Sequence, residues 1–421
     1  MMAWLVTVAE TMPAIEVGDR KMRTALLGEV LCSRGHEVIW WNSTINHRYK
    51  RKYFERDTDI VWKPGFLVRL IDGPLYRRNI SLRRYLNHFV VAYRFLRRIR
   101  RIAPPDIIYC SLPTPELAAA AVWYGRKVGR PVVIDVRDLW PDEFTARVSS
   151  RAIRRVLSWA TAPMLWATEF ALRKSNGITA ISPSYLAWAQ SKANRHSGPN
   201  DRVFYLGYPK LGPGGAQARD VRARLIEAGV VPERRIFLFV GTFTQGIDVE
   251  VLVSAARILA EKGRDDIQIV IAGEGERKDW LLEHKRGLAN LVYVGWQARE
   301  GIEELLRLAW VGLGAYRRHS NVSLGNKIFE YASGALPVII ALEGDARQLI
   351  ETNDMGCHVP AEDARSLADT IERYADDVTL RSRQSENASR FFAAHCDADV
   401  IYPELAEFLE RLASRPQPGN R

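Results

Sequence analysis

The stretch NVSLGNKIFEYASGALPVII, residues 321–340, combines residue types that could hold a diphosphate and a sugar. A predicted helix opens here, and exposed amides and the helix dipole favour an anion at such an N-terminus. The residues at that end are Ser323, Leu324, Gly325 and Asn326. Lys327 opposes the dipole by itself but suits a bound diphosphate, and Glu330 can accept hydrogen bonds from sugar hydroxyls. The alternative is a solvated Lys–Glu pair worth roughly a few tenths of a kcal/mol, but the apolar flanks indicate burial and favour a ligand site.

Two further loops in the second half carry glycines directly after predicted strands. FVGTFTQG places Thr242, Thr244 and Gln245 after Gly241, and IAGEGE places Glu274 after Gly273. Glycine lets the backbone approach a ligand closely, and amides at a helix start can bind phosphate. Neither loop matches GxGxxG or the P-loop pattern, so the sequence does not indicate a dehydrogenase or an ATPase. The alternative for each loop is an ordinary strand-to-helix connection.

In the first half, PVVIDVRDLWPDEF (131–144) ends a buried strand with acids and a base. Arg137 and Asp138 follow the strand, where ligands bind in open α/β sheets. Acid and base side chains at the carboxyl end of such a strand are expected to point into a cleft between domains. The alternative is a structural Arg–Asp pair that closes the sheet edge.

These residues need a sheet to position them, and the chain repeats a short apolar strand, a turn and an amphipathic helix. Strands are predicted at 3–10, 36–41, 106–111, 131–136 and 177–182, with a second series from 235 onward. Alternation of this kind is typical of βαβ units and parallel sheets. The fold class predicted is α/β, with two doubly wound Rossmann-like domains facing a cleft. Residues 42–79 interrupt the rhythm and are predicted to be irregular.

The predicted domain boundaries follow from the glycine- and proline-rich segment YPKLGPGGAQARD. An N-terminal domain is expected over 1–207, a linker over 208–220 and a C-terminal domain over 221–390. A C-terminal helix over 391–413 is expected to pack back on the first domain, and a disordered tail is expected over 414–421.

The composition describes a globular protein with a basic surface. The 421 residues are 47% hydrophobic and 26% charged, and the net charge is +11. Four scattered cysteines form no CxxC pair, which argues against a disulfide framework or a zinc site. The N-terminus has no basic region of a signal peptide, and no apolar stretch approaches the ~20 residues of a membrane span. We therefore expect a cytoplasmic protein with an anionic partner.

The positive charge concentrates in two predicted amphipathic helices. Residues 81–102 carry seven arginines beside an apolar stripe, and residues 147–174 carry arginines around Trp159 and Trp166. Basic helices with interfacial aromatics suit anionic membrane surfaces. The interpretation is that the apolar stripes belong partly to the core and the arginines face phospholipid. The alternative is a solvated basic back on an ordinary core helix.

Taken in order, the segments FLFVGTF, IQIVIAGEGE, NLVYVGW and NKIFEYASGALPVIIA resemble the nucleotide-sugar domain of family-4 glycosyltransferases with the GT-B fold. The resemblance is close over 235–375 and looser before that. It implies that the C-terminal domain binds the nucleotide sugar and the N-terminal domain binds the acceptor. It also implies that Glu330 binds the ribose of a nucleotide and that Trp296 and Gln297 hold the base. The family's first glutamate is replaced by Val322, and its diphosphate-binding Arg and Lys are missing from the first loop. Lys327 is similar to the substitute cation of a subset of the family.

The resemblance also assigns roles in the first half. MPAIEVGDRKMR (12–23) resembles the loop that faces the donor diphosphate, which makes Gly18 and Arg20 donor-binding candidates and Glu16 an acceptor-side acid. An ordinary loop with solvated charges is the alternative. DVRDLWPD resembles bacterial surface-polysaccharide transferases, including those of lipopolysaccharide biosynthesis. This resemblance implies that Asp138 binds the donor sugar or an acceptor hydroxyl and that Arg137 stabilises phosphate charge. The implied reaction retains the anomeric configuration, uses no metal or other cofactor, and transfers a sugar from a nucleotide diphosphate sugar to a lipid-linked saccharide.

Two rivals and a degenerate form stand beside this prediction. A non-hydrolysing nucleotide-sugar epimerase shares the two-domain plan, but it gives the basic helices no purpose. A nucleic-acid-binding protein would use those helices, yet it leaves the glycine loops unexplained and shows no RNP-type or helix-turn-helix signature. A non-catalytic transferase is consistent with the missing Glu and Arg. The prediction is a peripheral enzyme at the inner face of the plasma membrane that does not bind nucleic acid.

Overall fold

The computed structural model describes residues 1–16, 21–47, 49–78, 81–142, 150–212, 214–320 and 322–415. Contacts divide the chain into two compact units, which we describe separately. Unit 1 comprises Met1–Tyr205 and Ile401–Arg421, and unit 2 comprises Leu206–Val400.

Unit 1 is built on an eight-stranded sheet. Its strands and a small separate hairpin are β1 (Met2–Val6), β2 (Glu37–Ser43), β3 (Ile45–Asn46), β4 (Arg51–Lys52), β5 (Thr58–Lys63), β6 (Phe66–Ile71), β7 (Ile107–Leu112), β8 (Val132–Val136), β9 (Gly177–Ala180) and β10 (Asp201–Val203). The sheet order is β10-β9-β8-β7-β1-β2-β6-β5, and only β5 runs antiparallel to its neighbour. Strands covered on both faces need continuous apolar runs, and β7 is buried at every residue.

Helices of unit 1 connect these strands. They are α1 (Arg23–Ser33), α2 (Leu82–Ile99), α3 (Pro115–Val128), α4 (Arg151–Lys174) and α5 (Pro183–Ala193). Helix α3 packs against α2 and α4, and all three contribute to one apolar core with β1, β7 and β8. Aromatic rings dominate that core: Trp4 stacks on Tyr124 with ring centroids 5.5 Å apart.

The segment predicted to be irregular, 42–79, contains part of the sheet. Strands β5 and β6 form a hairpin across Gly65, and β6 pairs in parallel with β2. In TDIVWK the odd and even positions alternate between partly buried and exposed, which is the pattern of an edge strand. Because this segment is rich in basic and aromatic residues, a count of apolar residues does not reveal the alternation.

Unit 2 is built on a six-stranded parallel sheet of order β13-β12-β11-β14-β15-β16. Its strands are β11 (Arg235–Val240), β12 (Ile267–Ala272), β13 (Leu291–Gly295), β14 (Ala309–Gly314), β15 (Val338–Ile340) and β16 (Gly356–His358). Its helices are α6 (Ala216–Glu227), α7 (Val249–Glu261), α8 (Lys278–His284), α9 (Arg299–Leu308), α10 (Asn326–Ser333), α11 (Asp345–Thr352), α12 (Ala364–Asp376) and α13 (Val378–His395). The fold class is therefore α/β with two Rossmann-like parallel-sheet domains, as the sequence predicts.

The ends of the segment predicted as a linker differ in structure. Residues 208–212 have no helix, whereas residues from 216 onward belong to α6. The last helix, α14 (Ala398–Ala413), belongs to unit 1 from Ile401 onward. There Arg34 Nε donates to Glu410 Oε1 at 2.8 Å, and His36 lies beside the same carboxylate. Residues 416–421 of the predicted tail lie outside the described residues.

The two basic helices differ from the prediction. On α2 the residues Leu82, Leu86, Phe89 and Tyr93, spaced at one helical face, are 43–87% exposed. The inward face instead carries Arg84 and apolar residues around Phe95. The prediction is that the apolar stripe belongs partly to the core, and these four positions are not in the core part. Among the described residues, no helix has the length and hydropathy that crossing a membrane requires.

Several arginines of α2 also point to carboxylates of the same unit. Arg94 lies 3.0 Å from Asp72, and Arg98 lies 3.7 Å from Asp57. The arginines that stay exposed at this helix are Arg83, Arg97, Arg100 and Arg101. In α4 none of residues 151–163 is buried, and Trp159 and Trp166 are both exposed. Residues 147–149 of the second predicted helix lie outside the described residues.

Candidate active site

The loops after β11 and β12 in unit 2 are joined by backbone hydrogen bonds. The Phe243 amide donates to the Glu274 carbonyl at 2.9 Å, and the Gly241 amide donates to the Ala272 carbonyl at 2.9 Å. A Cβ on Gly273 would lie 1.9 Å from the Gly241 carbonyl oxygen. Gly273 is therefore required by the packing of these loops, while its predicted approach to a ligand stays a prediction.

The β11 loop is also joined to the loop after β14. The Asp248 amide donates to the Ala315 carbonyl at 3.2 Å, and the Arg317 amide donates to the Gly246 carbonyl at 3.0 Å. Between these anchors the side chains of Thr242, Thr244 and Gln245 are exposed. The predicted hydroxyl-bearing loop thus lies beside the segment that leads into α10.

Helix α10 begins where the sequence predicts it, with Gly325 as the N-cap. A Cβ on Gly325 would lie 2.2 Å from the Tyr316 hydroxyl oxygen, so only glycine permits this approach. One turn later Tyr331 is buried; its hydroxyl accepts from the Val240 amide and donates to the Leu313 carbonyl, both at 3.0 Å. These bonds fix α10 against the ends of β11 and β14.

Lys327 lies between these elements. Its Nζ is 5.0 Å from the Phe239 ring centroid and 5.1 Å from that of Tyr316, within the range of cation–π attraction. A Cβ on Gly241 would lie 2.6 Å from the same Nζ, so the loop glycine and the helix lysine are adjacent. Within the described part of the chain, no carboxylate comes within 4.0 Å of this ammonium group. Burial lowers the pKa of Lys327 to about 8, and the charge of Glu330 opposes that shift.

Such a lysine suits an anionic ligand. Burial disfavours its charged form, so a phosphate would both bind it and raise its pKa. Glu330 is partly buried one turn along the helix. Burial raises the pKa of Tyr316, and the Glu330 charge raises it further. The structure therefore brings together Gly241, Gly325, Lys327 and Glu330, which the sequence predicts as one donor site.

The remaining residues at the start of α10 have different environments. Leu324 is buried and Asn326 is exposed. The Ser323 hydroxyl donates to Asp345 Oδ2 at 3.1 Å, so its side chain binds the start of α11. Their contacts with a donor stay predictions.

The predicted base-binding residues follow the edge strand β13. Trp296 is 60% exposed, which leaves its ring face open to stacking. The Gln297 amide donates to the Val294 carbonyl, and a Cβ on Gly301 would lie 2.5 Å from its Oε1. Glu274 is exposed and pairs with Lys278 at 2.9 Å. The roles of these three residues in donor binding are not tested by these contacts.

In unit 1 the base at the end of β8 belongs to a buried charge network. Arg137 Nε donates to Asp135 Oδ2 at 2.5 Å, and the same guanidinium pairs with Glu10. Arg23 binds Asp135 from α1 at 3.1 Å, and the Thr179 hydroxyl donates to that carboxylate at 2.6 Å. Burial alone would raise the pKa of Asp135, but Arg23 and Arg137 outweigh it and hold the pKa well below its usual range.

This network balances two guanidinium groups with two carboxylates. The sequence left open a structural role for Arg137 as one half of an Arg–Asp pair at the sheet edge. The contacts of Arg137 match a structural role, but its partners lie on three segments of the chain and not at the sheet edge alone. Its predicted role toward phosphate stays a prediction, and its fixed bonds to Glu10 and Asp135 favour a positioning role.

Asp138 lies outside that network. It is partly buried, and its Oδ1 accepts from the Leu139 amide at 2.9 Å. Its charge opposes the lowering of the Arg84 pKa by burial, which places it near the first turn of α2. The Arg84 guanidinium lies over the Trp140 ring, with 4.2 Å between Cζ and the ring centroid. Asp138 therefore has a basic, aromatic neighbourhood at the carboxyl end of β8.

Glu16 is held by the segment that the sequence treats as irregular. Its carboxylate accepts from the Tyr53 hydroxyl at 2.8 Å and from the Asn46 amide. Gly18 and Arg20 lie outside the described residues.

This chain is similar to several known proteins. Residues 234–377, which include the whole donor-side arrangement, match the family model "Glycosyl transferases group 1". This chain is a glycosyltransferase. It is 28% identical over 297 residues to alpha-D-kanosaminyltransferase of Streptomyces kanamyceticus, which covers 69% of this chain and 74% of that protein.

Solved structures of low identity share the fold of the glycosyltransferase. HepE of Anabaena in complex with UDP aligns with a TM-score of 0.66 at 14% identity, covering 97% of this chain and 99% of that one. WaaG, a glycosyltransferase involved in lipopolysaccharide biosynthesis, aligns with a TM-score of 0.66 at 15% identity, covering 97% and 99%. The fold is GT-B. These similarities favour a glycosyltransferase over the nucleotide-sugar epimerase and the nucleic-acid-binding protein.

Sequence reasoning missed the aromatic and charged partners of the glycosyltransferase sites. Tyr316 ends the apolar segment WVGLGAY, whose pattern indicates a strand and does not mark a site residue. Arg23 lies inside the loop segment 12–23, yet its partner Asp135 is 112 residues away. Pairings of this kind arise from strand order, which a single sequence does not reveal.

Proposed function

We propose that this glycosyltransferase moves a sugar from a nucleotide diphosphate sugar to a membrane-lipid-linked saccharide in surface polysaccharide assembly. The observation that carries the donor half is Lys327, partly buried at the start of α10 beside Gly241, with Glu330 one turn away. HepE, with the same fold, is solved with UDP and also with UDP-glucose, which supports a nucleotide sugar as donor.

The donor diphosphate would lie against the first turn of α10. Lys327 supplies the cation, the amides at the helix start supply donors, and the dipole favours the negative charge. Glu330 would accept hydrogen bonds from ribose hydroxyls, and Trp296 would stack on the base. This arrangement assigns the stabilisation of the leaving diphosphate to protein groups, in accord with the metal-independent reaction that we propose.

Asp138 is the candidate for contact with the transferred sugar or the acceptor hydroxyl. The proposal includes retention of configuration at the anomeric carbon, which is expected from the resemblance to family-4 enzymes. Glu16, fixed by Tyr53 and Asn46, is the candidate acid on the acceptor side. WaaG, involved in lipopolysaccharide biosynthesis, supports an acceptor of the surface-polysaccharide class.

The membrane half of the proposal is supported by α2 and α4. The exposed stripe Leu82, Leu86, Phe89 and Tyr93 is flanked by exposed arginines, and α4 exposes two tryptophans near exposed arginines. Apolar side chains in the headgroup region and arginines against anionic lipid are the two contributions to interfacial binding. We propose peripheral attachment to the cytoplasmic face of the plasma membrane.

The donor is tested by a thermal-shift panel of nucleotide sugars, because a ligand that binds only the folded state raises the melting temperature. At least one nucleotide sugar should raise the melting temperature of the wild type and fail to raise that of Glu330→Ala. A flat response of the wild type to every donor would overturn the donor assignment. Once the donor is known, NMR of the product would establish retention or inversion.

The membrane is tested by co-sedimentation with phosphatidylcholine vesicles, with and without phosphatidylglycerol. Binding should require the anionic lipid, and the double variant Leu82→Gln/Leu86→Gln should bind much more weakly. Val61→Gln removes a similarly exposed apolar side chain from β5 and is the matched control. Equal binding by all three proteins would contradict the assignment of this face.

A further inference from the structure

A second group of cations lies in unit 1, at the side of Asp138 and outside the network of Arg137. Lys50 and His47 come from the β3–β4 hairpin, Tyr76 follows β6, and Arg84 is in the first turn of α2. Lys50 Nζ is 5.4 Å from the Tyr76 ring centroid, and Arg84 Cζ is 5.7 Å from the same centroid. The β3–β4 hairpin and α2 thus each place one cation against the ring of Tyr76.

His47 links this group by hydrogen bonds. Its Nδ1 lies 2.8 Å from the Tyr76 hydroxyl oxygen and 3.3 Å from Lys50 Nζ. Burial lowers the pKa of His47 to about 4, with Arg84, Lys50 and His88 adding to the shift. The imidazole is therefore neutral at pH 7, and its Nδ1 lies within hydrogen-bond distance of the Tyr76 hydroxyl.

Burial disfavours the charged forms of both cations in this cluster. Burial lowers the pKa of Lys50, and Arg84 lowers it further. Burial likewise lowers the pKa of Arg84, against the opposing effect of Asp138. An added anion would reverse the unfavourable effect on both cations.

The position of the cluster fits a substrate contact. Arg84 touches Trp140, which follows β8 two residues after Asp138, and ligands bind at the carboxyl ends of such strands. The N-terminus of α2 adds its partial positive charge at the same place. A phosphate here would meet two cations and the amides of a helix start.

We propose that Lys50, Arg84 and His47 form a subsite for a phosphate group of the acceptor, beside Asp138. The inference rests on the proposed function, which includes an acceptor substrate, and it adds that this acceptor is a phosphorylated molecule. A lipid diphosphate and a soluble sugar phosphate share this chemistry. Lys50 would bind the phosphate directly, and Arg84 would bind it while remaining packed on Trp140.

The test uses full-length protein carrying Lys327→Met, so that the donor-side lysine does not contribute. Inorganic pyrophosphate is titrated by calorimetry into this protein and into the same protein with Lys50→Met, Lys50→Arg or Lys63→Met. Lys63 is an exposed lysine of β5 that pairs with Glu29, and its loss is the matched control for charge. Unfolding midpoints confirm that all variants are folded.

Lys50→Met should weaken pyrophosphate binding at least about tenfold, the effect of losing one charge-assisted hydrogen bond. Lys50→Arg should retain most of the affinity, and Lys63→Met should not change it. In ¹⁵N spectra the pKa of His47 should rise when pyrophosphate binds, a change that a purely structural lysine would not produce. Absence of binding, equal affinity of Lys50→Met, or an unmoved His47 pKa would each overturn the proposal.

Two further probes distinguish the source of the phosphate. Tighter binding of geranyl diphosphate than of pyrophosphate supports a lipid diphosphate, and tighter binding of glucose 1-phosphate supports a soluble sugar phosphate. Failure of nucleotide sugars to bind the wild type would count against the proposed donor and would not affect this titration, because the donor-side lysine is absent throughout.

Discussion

Lys327 in unit 2 and Arg137 in unit 1 are both cations withdrawn from water, and the sequence predicts a phosphate role for each. Lys327 lies in the first turn of α10, and Arg137 follows β8 directly. Arg137 is bonded to Asp135 and Glu10, so its charge is balanced by the protein. Lys327 instead faces the rings of Phe239 and Tyr316, with Glu330 one turn away. The difference indicates that the unit 2 cation is available to a ligand, whereas the unit 1 cation stabilises the fold.

The largest effect is expected from breaking the balanced network. Asp135→Ala removes the carboxylate that Arg23 and Arg137 share, and it leaves both guanidinium groups buried without it. We expect a loss of about 3–5 kcal/mol in the free energy of unfolding, measured by urea denaturation. Glu55→Ala removes an exposed partner of Lys52 and should cost less than about 1 kcal/mol. Equal losses would show that the network does not stabilise the fold.

Acid should act through the same carboxylate. The folded-state pKa of Asp135 lies below its unfolded value, so its contribution to stability is present above the unfolded pKa, near 4. That contribution is lost as the pH falls through the folded pKa. The wild type should therefore lose stability below pH 4 more steeply than Asp135→Asn, as measured by unfolding midpoints against pH. Parallel curves for the two proteins would contradict this.

A smaller effect is expected at Glu330. Glu330→Gln keeps the shape of the side chain but removes the charge that hydrogen-bonds ribose hydroxyls in the proposed complex. Affinity for the donor should fall about tenfold, because a hydrogen bond to a charged group is worth roughly 1.5–3 kcal/mol and the amide retains part of it. Glu343→Gln, at an exposed position before α11, is the control and should bind normally.

The smallest effect is a dependence on pH near neutrality. The free-enzyme pKa of Lys327 is about 8, and a bound diphosphate would raise it. Binding then favours the protonated lysine, so affinity should be constant below pH 8 and fall above it, by at most about tenfold per pH unit. Calorimetry in two buffers at pH 8.5 should show proton uptake on binding. Proton release, or affinity that rises above pH 8, would exclude this role.

Much of the fold is predictable from the sequence because parallel strands are apolar along their whole length. Strands such as IIYCSL and IQIVIA are recognised without a partner, and Gly325 correctly marks the start of α10. The hairpin of β5 and β6 is not recognised in this way, since an edge strand alternates and two of the three exposed positions of β5, Asp59 and Lys63, are charged. The stripe of α2 shows the same limit: periodicity identifies an apolar face but not the side that is covered.

The site divides in the same way. Lys327 and Glu330 are predictable because they lie three residues apart on one helix after a glycine. The partners that decide their chemistry, Phe239 and Tyr316, come from other strands. The structural role of Arg137 depends on Glu10 and on Arg23, which the sheet order brings to β8 from distant parts of the chain. A single sequence carries no record of such pairings.

The most direct test of the central claim is calorimetric titration of nucleoside diphosphates into the wild type, Lys327→Met and Lys262→Met at pH 7. Lys262 is an exposed lysine of unit 2 paired with Asp369, and its variant controls for the loss of one charge. The account predicts saturable binding of at least one nucleotide, weakened about tenfold or more by Lys327→Met and unchanged by Lys262→Met. Equal affinity of the wild type and Lys327→Met, or no binding at all, would contradict it.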